Sequence, residues 1–183
     1  ASGYVYNATS SDNVIIGTTN NAGGNEGYHG GWTASGLTST NNTITGNNRV
    51  GGNLGGTGWT YNENFQSINN TIRGTNYTAG CIGFNDHSYA TIYNLRASGS
   101  NQSVTGTQYV GGVIGRAYGR VKNVQAQDFS VTGTGNYIGG VMGSEEYVNT
   151  SISSTNNGNY SLAGAKATNM TIIGSASYVG GIV

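Results

Sequence analysis

The chain has 183 residues, 33 of them glycine and none proline, and its seven basic and seven acidic side chains cancel. That length suits one domain with a sizeable interior, and with only 8% charged residues there is no electrostatic footprint for a nucleic acid or an anionic membrane surface. No apolar run approaches the roughly 18 residues needed to span a bilayer, and a net charge of zero removes the repulsion that holds copies of a protein apart.

In chain order, Tyr4 to Ile16 fits no repeat, so residues 1–36 are expected to form a degenerate N-terminal coil or a contact with another subunit, and 37–183 the regular repeats of one domain. Tyr28 to Ala34 (YHGGWTA) reads as a worn copy of a motif that sharpens downstream. Thr43 to Gly46 (TITG) and Arg49 to Gly55 (RVGGNLG) open the regular part. The pair returns as Thr71 to Gly74 (TIRG) with Tyr77 to Gly83 (YTAGCIG), and as Ser103 to Gly106 (SVTG) with Tyr109 to Gly115 (YVGGVIG). It returns again as Ser130 to Gly133 (SVTG) with Tyr137 to Gly143 (YIGGVMG), and as Thr171 to Gly174 (TIIG) with Tyr178 to Val183 (YVGGIV). A third element reads Ile92 to Ala97 (IYNLRA) and Val121 to Ala126 (VKNVQA), with looser copies at Phe65 to Asn70 and Leu162 to Ala167.

The second glycines, Gly52, Gly80, Gly112, Gly140 and Gly181, lie 28, 32, 28 and 41 residues apart, a basic period with insertions. Extra residues between Gly17 and Tyr28, Gly55 and Phe65, and Gly143 and Tyr160 are read as projecting loops. Three short β-branched segments per period, none with helical spacing, predict an all-β parallel β-solenoid of about three strands per coil and five to six coils. A terminal coil exposes strand edges, so further repeats or another copy are expected to continue it beyond Val183.

Alternation of strand residues divides the glycine motif into two rows. Val50, Leu54, Thr78, Ile82, Val110, Ile114, Ile138, Met142, Val179 and Val183, with the glycines between them, fall in the row assigned to the interior. The other, assigned outward from Arg49 and Asn53, contains Tyr77, Cys81, Tyr109, Val113, Tyr137, Val141, Tyr178 and Ile182. An outward row that turns apolar and aromatic is a candidate self-association face or a stabilising tyrosine ladder. Asn94 and Asn123, equivalent in successive third elements, are expected to stack along the axis, either inside the coil or at a corner.

On these motifs the chain resembles the GLUG-motif repeats of large secreted bacterial proteins, among them adhesin-like surface proteins and repeat regions of some immunoglobulin A peptidases, over most of its length from about Thr43 onward. The resemblance implies an extracellular or cell-surface solenoid without an active site of its own; the peptidases' catalytic parts have no counterpart here.

The leading expectation is therefore a non-catalytic fibre subunit or stalk segment whose partner is itself, end to end or laterally, or further repeats. A second is a surface for a host glycan or protein, with Trp32, Trp59, Tyr61 and Tyr147 as loop contacts, or for ice, with Thr43 and Thr45, Thr105 and Thr107, and Thr132 and Thr134 as a partial hydroxyl array. A third is a polysaccharide-degrading β-helix, but Asp12, Glu26, Glu63, Asp86, Asp128, Glu145 and Glu146 are scattered, and only the last two adjoin. No catalytic residue is assigned. His29 and His87 have no metal-ligand spacing with Glu26, Asp86 or Cys81, so neither metal nor cofactor is expected, and Cys81 reads as a packed or surface thiol.

Overall fold

The computed structural model describes residues 3–145, 162–175 and 177–183, and in them the chain is all-β, a solenoid of about five turns of roughly 29 residues. Each strand pairs in parallel with its counterpart one turn on. The T-I-x-G segments show why: Ile44, Ile72, Val104 and Val131 fall in one fully buried column, while the Thr and Ser on either side face out. Like residues stacked in register satisfy the backbone ladder and the interior together.

Each coil has four faces. The long face carries Tyr4–Tyr6 and Thr9–Ser11, Thr33–Ser35 and Thr38–Thr40, Tyr61–Glu63 and Gln66–Ile68, Thr91–Ser98, and Arg120–Gln127. The hydroxyl face stacks Val14–Gly17, Thr43–Gly46, Thr71–Arg73, Ser103–Gly106, Ser130–Gly133 and Thr171–Gly174. The glycine face stacks Asn21–Gly23, Arg49–Gly51, Tyr77–Ala79, Val110–Gly111, Ile138–Gly139 and Val179–Gly180. The short face stacks Glu26–His29, Leu54–Thr57, Ile82–Asn85, Ile114–Ala117 and Met142–Glu145.

Four faces replace the expected three because the glycine motif is not one strand. After Gly111 the chain turns, and the amides of Val113 and Ile114 both donate to the carbonyl of Val141, at 2.7 and 3.0 Å. Two consecutive donors on one acceptor break the alternation. Asn53, Cys81, Val113 and Val141, assigned outward from the sequence, are in consequence fully buried. Ile182, in the last coil, is half-buried against the same core, while Val179 and Val183, assigned to the interior, are exposed there because that coil is stacked on one side alone among the described residues.

Two bends are made by left-handed residues, which Asn and Gly tolerate best. The bend of the long face has Asn7, Gly36, Asn64, Asn94, Asn123 and Gly164 in one column with φ of 52°, 68°, 59°, 57°, 53° and 66°. The expected asparagine stack is there: Asn123 Nδ2 donates to Asn94 Oδ1 at 3.3 Å and Asn94 Nδ2 to Asn64 Oδ1 at 3.2 Å.

The first coil is more regular than its sequence suggests. Tyr4–Tyr6, Thr9–Ser11 and Val14–Gly17 all pair in register with the next coil. The worn sixth glycine motif is Asn21 to Gly27 (NAGGNEG) and not Tyr28 to Ala34, since Asn21, Ala22 and Gly23 pair with Arg49, Val50 and Gly51. The stretches after Gly17 and after Gly55 are thus coil rather than projecting loops.

The interior changes character along the axis. In the early coils one corner is filled by Asn13, Asn42, Asn70 and Gln102, each a side-chain acceptor or backbone donor for its neighbour at 2.6–2.8 Å. In the later coils the same place is taken by Phe129 and Met170, and the facing serines Ser39 and Ser67 give way to Ala97 and Ala126. A hydrogen-bonded half is joined to an aliphatic half.

Candidate functional site

Three surfaces concentrate side chains that the coil itself does not require. The first is the tyrosine ladder on the glycine face. Tyr77, Tyr109, Tyr137 and Tyr178 stack with ring centroids 5.1, 5.0 and 5.0 Å apart and planes within 19°. Tyr109 and Tyr137 hold φ of 50° and 63°, which costs a tyrosine roughly 1–2 kcal/mol. Offset stacking at about 0.5–1.5 kcal/mol per pair compensates.

Its flank is supplied by the short face, seven residues further along the same coil and absent from the sequence reading. Phe84 lies 4.5 Å from Tyr77, and the Arg116 guanidinium sits 4.8 Å over Tyr109 and 5.0 Å over Tyr118. Arg49 lies 4.5 Å over Phe84 and pairs with Asp86 at 3.2 Å, and the Tyr28 hydroxyl donates to the same carboxylate. Burial first, and then the Asp86 carboxylate, pushes the Tyr28 phenol up. The ladder is therefore packed by its own chain up to Tyr137, and Tyr178 is its exposed end. Of the apolar and aromatic residues assigned to the outward row, Val113 and Val141 leave this face for the core, and Ile182 packs half-buried against it.

Cys81 leaves it too. Its thiol donates to the Arg96 carbonyl at 3.3 Å, and burial drives its pKa far above the usual thiol range. In native buffer Cys81 is expected not to react with a disulfide reagent, and to react fully once denaturant is added; prompt native labelling would mean that the coil opens at this corner.

The second surface is the corner between the short and long faces. It brings together Trp32, Trp59 and Tyr61, named from the sequence as loop contacts, with His87, weighed there only as a metal ligand, and Tyr89, which was not singled out. Trp59 stacks on His87 at 5.3 Å with planes 6° apart, and lies 6.5 Å from Trp32 and 6.3 Å from Tyr89. The loops that carry them are tied down: Gly58 N donates to His29 O at 3.0 Å, and Tyr61 N to Trp32 O at 3.1 Å. Beneath lies a buried polar layer in which Thr60 Oγ1 is 2.6 Å from both Thr57 Oγ1 and Asn62 Nδ2. Tyr147, the remaining loop candidate, and Glu146 lie outside the described residues.

The third is the hydroxyl face. Its true rows are Thr43, Thr71, Ser103, Ser130 and Thr171, and Thr45, Arg73, Thr105, Thr132 and Ile173. Thr107 and Thr134 follow the glycines that end their strands, so they are not part of the array. Arg73 interrupts the second row, which removes the unbroken hydroxyl grid that ice would need.

The carboxylates remain dispersed: Asp86 is engaged by Arg49, Glu63 by Ser35, and Glu26 by His29. Burial pushes the Glu145 carboxyl up, with no second carboxylate against it among the described residues. No family model, curated protein or solved structure matches the chain. The resemblance to GLUG repeats therefore rests on the YVGG-type copies alone.

Proposed function

We propose that this chain is a non-catalytic, extracellular structural module whose coils are continued end to end, as a filament subunit or a segment of an adhesin-like stalk. The supporting observation is a change of residue type along one outward column of the hydroxyl face. Between the ends the column is polar, with Thr45, Arg73, Thr105 and Thr132; its first member is Ile16, 70% exposed, and its last is Ile173, 55% exposed. Val14, 74% exposed, stands beside Ile16 on the same strand.

Aliphatic side chains at both ends of a polar column make sense when the ends meet. Set one copy on another in the same register and Ile173 packs on Ile16, while inside the coil Ile172 continues onto Ile15 and Val179 onto Ala22. Among the described residues, strands Val14–Gly17 and Thr171–Gly174 each pair on one side, leaving donors and acceptors for that neighbour. Burying each isoleucine contributes roughly 1.5–3 kcal/mol, to which the ladder bonds add direction.

The purified chain is expected to form rods that lengthen with concentration in negative-stain electron microscopy and sedimentation. A doubly charged variant, Ile16→Lys with Ile173→Lys, is expected to remain a folded monomer, because both side chains are exposed in one copy. Dispersed wild-type monomers at the highest attainable concentration would refute self-association.

A further inference from the structure

We infer that the aromatic corner formed by Trp32, Trp59, Tyr61, His87 and Tyr89 binds a neutral polysaccharide, laid along the solenoid axis. Among the described residues between the first and last coils, the large apolar side chains left exposed are Trp32, Trp59, Tyr61 and Tyr89, at 66, 64, 61 and 54%. Every one is a ring, and all lie at one corner. A surface made for a protein or a bilayer would mix in aliphatic side chains; this one has none, while the aliphatic side chains of the same coils are buried, apart from Ile68, which is half-buried.

Rings with a flat apolar face and a polar edge match the chemistry of a pyranose, which presents C–H groups on its face and hydroxyls at its rim. The strip is continuous over three successive coils through the Trp32–Trp59, Trp59–His87 and Trp59–Tyr89 contacts. Coils repeat about every 4.8 Å, close to the length of one hexose in an extended chain, so a ring per coil offers a site per sugar. A hydrogen-bonding group borders it: Glu63 lies two residues from Tyr61 on the same strand. Its carboxylate, which accepts from Ser35, can also accept from sugar hydroxyls and disfavours acidic glycans. The nearest base in the Tyr61 column is Arg120, two strands away. The anchored corner loops hold the rings in place before binding, so little ordering cost remains.

Trp32 and Trp59 are the two tryptophans of the chain, so its indole emission reports on this corner alone. The test is affinity electrophoresis and emission spectra against a panel of neutral soluble polysaccharides: β-glucan, xyloglucan, galactomannan and mannan. At least one is expected to retard the chain and shift its emission to the blue. Trp59→Ala should weaken retardation at least tenfold, and Trp32→Ala with Trp59→Ala should abolish it. Trp59→Phe, which keeps a ring, should retain most of it, and so should Tyr178→Ala on the other face.

Binding to none of the panel overturns the inference, as does retention of binding by the double alanine variant with an unchanged circular dichroism spectrum. A blue shift that follows protein concentration, or added phosphatidylcholine vesicles, without any sugar would instead assign the strip to a second copy or a bilayer and overturn it equally. End-to-end assembly is separate from this surface: the Ile16→Lys, Ile173→Lys chain should bind polysaccharide as the wild type does.

Discussion

Gly112→Ala is expected to leave the chain unable to fold, with soluble yield lost, or to lower its unfolding free energy by on the order of 4 kcal/mol or more. Gly112 belongs to the column Gly24, Gly52, Gly80, Gly112, Gly140 and Gly181, where the glycine face turns into the short face. A Cβ at Gly112 would overlap the carbonyl oxygen of Gly140 in the next coil, and one at Gly80 that of Gly112. These are backbone atoms already fixed by the ladder, with Gly112 N donating to Gly139 O at 3.2 Å, so they cannot yield.

The opposite wall offers no relief either, since the Ala126 Cβ would lie 3.1 Å from the new methyl group. The control is in the same column. A Cβ at Gly181 meets nothing within 4 Å, so Gly181→Ala should fold with wild-type stability. In an end-to-end stack its new methyl would meet the Gly24 carbonyl of the next copy, and the same variant should then fail to form rods. Equal stability of the two alanine variants would show that the coils are not stacked in this register.

The repeat itself was legible because its signal is redundant: a buried β-branched residue in every T-I-x-G copy and a glycine pair at a steady interval are visible without any structure. The Asn94–Asn123 stack followed from the same alignment. What was not legible depends on local geometry. Val113 and Val141 were placed outside because alternation was carried through Gly111 and Gly112, where the chain turns and two amides share one carbonyl. Asn7, Gly36 and Gly164 were not recognised as partners of Asn94, although Asn and Gly are interchangeable where φ is positive. The first coil was left as one of two alternatives and its glycine motif misplaced, because the motif was sought through its leading Tyr and aliphatic residue, which NAGGNEG lacks.

The aromatic corner was half visible. Trp32 and Trp59 stood out as rare residues in supposed loops, but His87 and Tyr89 join them only when the 28- to 32-residue step is applied between strands as well as along them. The flank of the tyrosine ladder was hidden for a similar reason: Phe84 and Arg116 pair with each other on a face that the sequence had merged with the glycine strand.

Asn70→Ala is expected to cost about 3–5 kcal/mol, a third or more of the stability of an ordinary domain. The buried carboxamide of Asn70 does backbone work for other residues. Its Oδ1 accepts the Asn42 amide at 2.7 Å, and its Nδ2 donates to the Ser39 carbonyl at 2.8 Å and to Ser67 Oγ at 2.9 Å. Alanine leaves the Asn42 amide buried without that partner, at about 1–3 kcal/mol, removes the side-chain donors to the Ser39 carbonyl and Ser67 Oγ, and adds a small cavity. Met should not rescue it, even though Met170 occupies the equivalent place in the last coil: volume is restored, but the Asn42 donor stays unmet. Asn136→Ala, at an exposed turn, should change stability by less than about 0.5 kcal/mol. Guanidinium midpoints for the three variants decide the matter. If Asn70→Ala falls within 1 kcal/mol of Asn136→Ala, bound water is replacing the carboxamide and the inner ladder is not what fixes the register of the early coils.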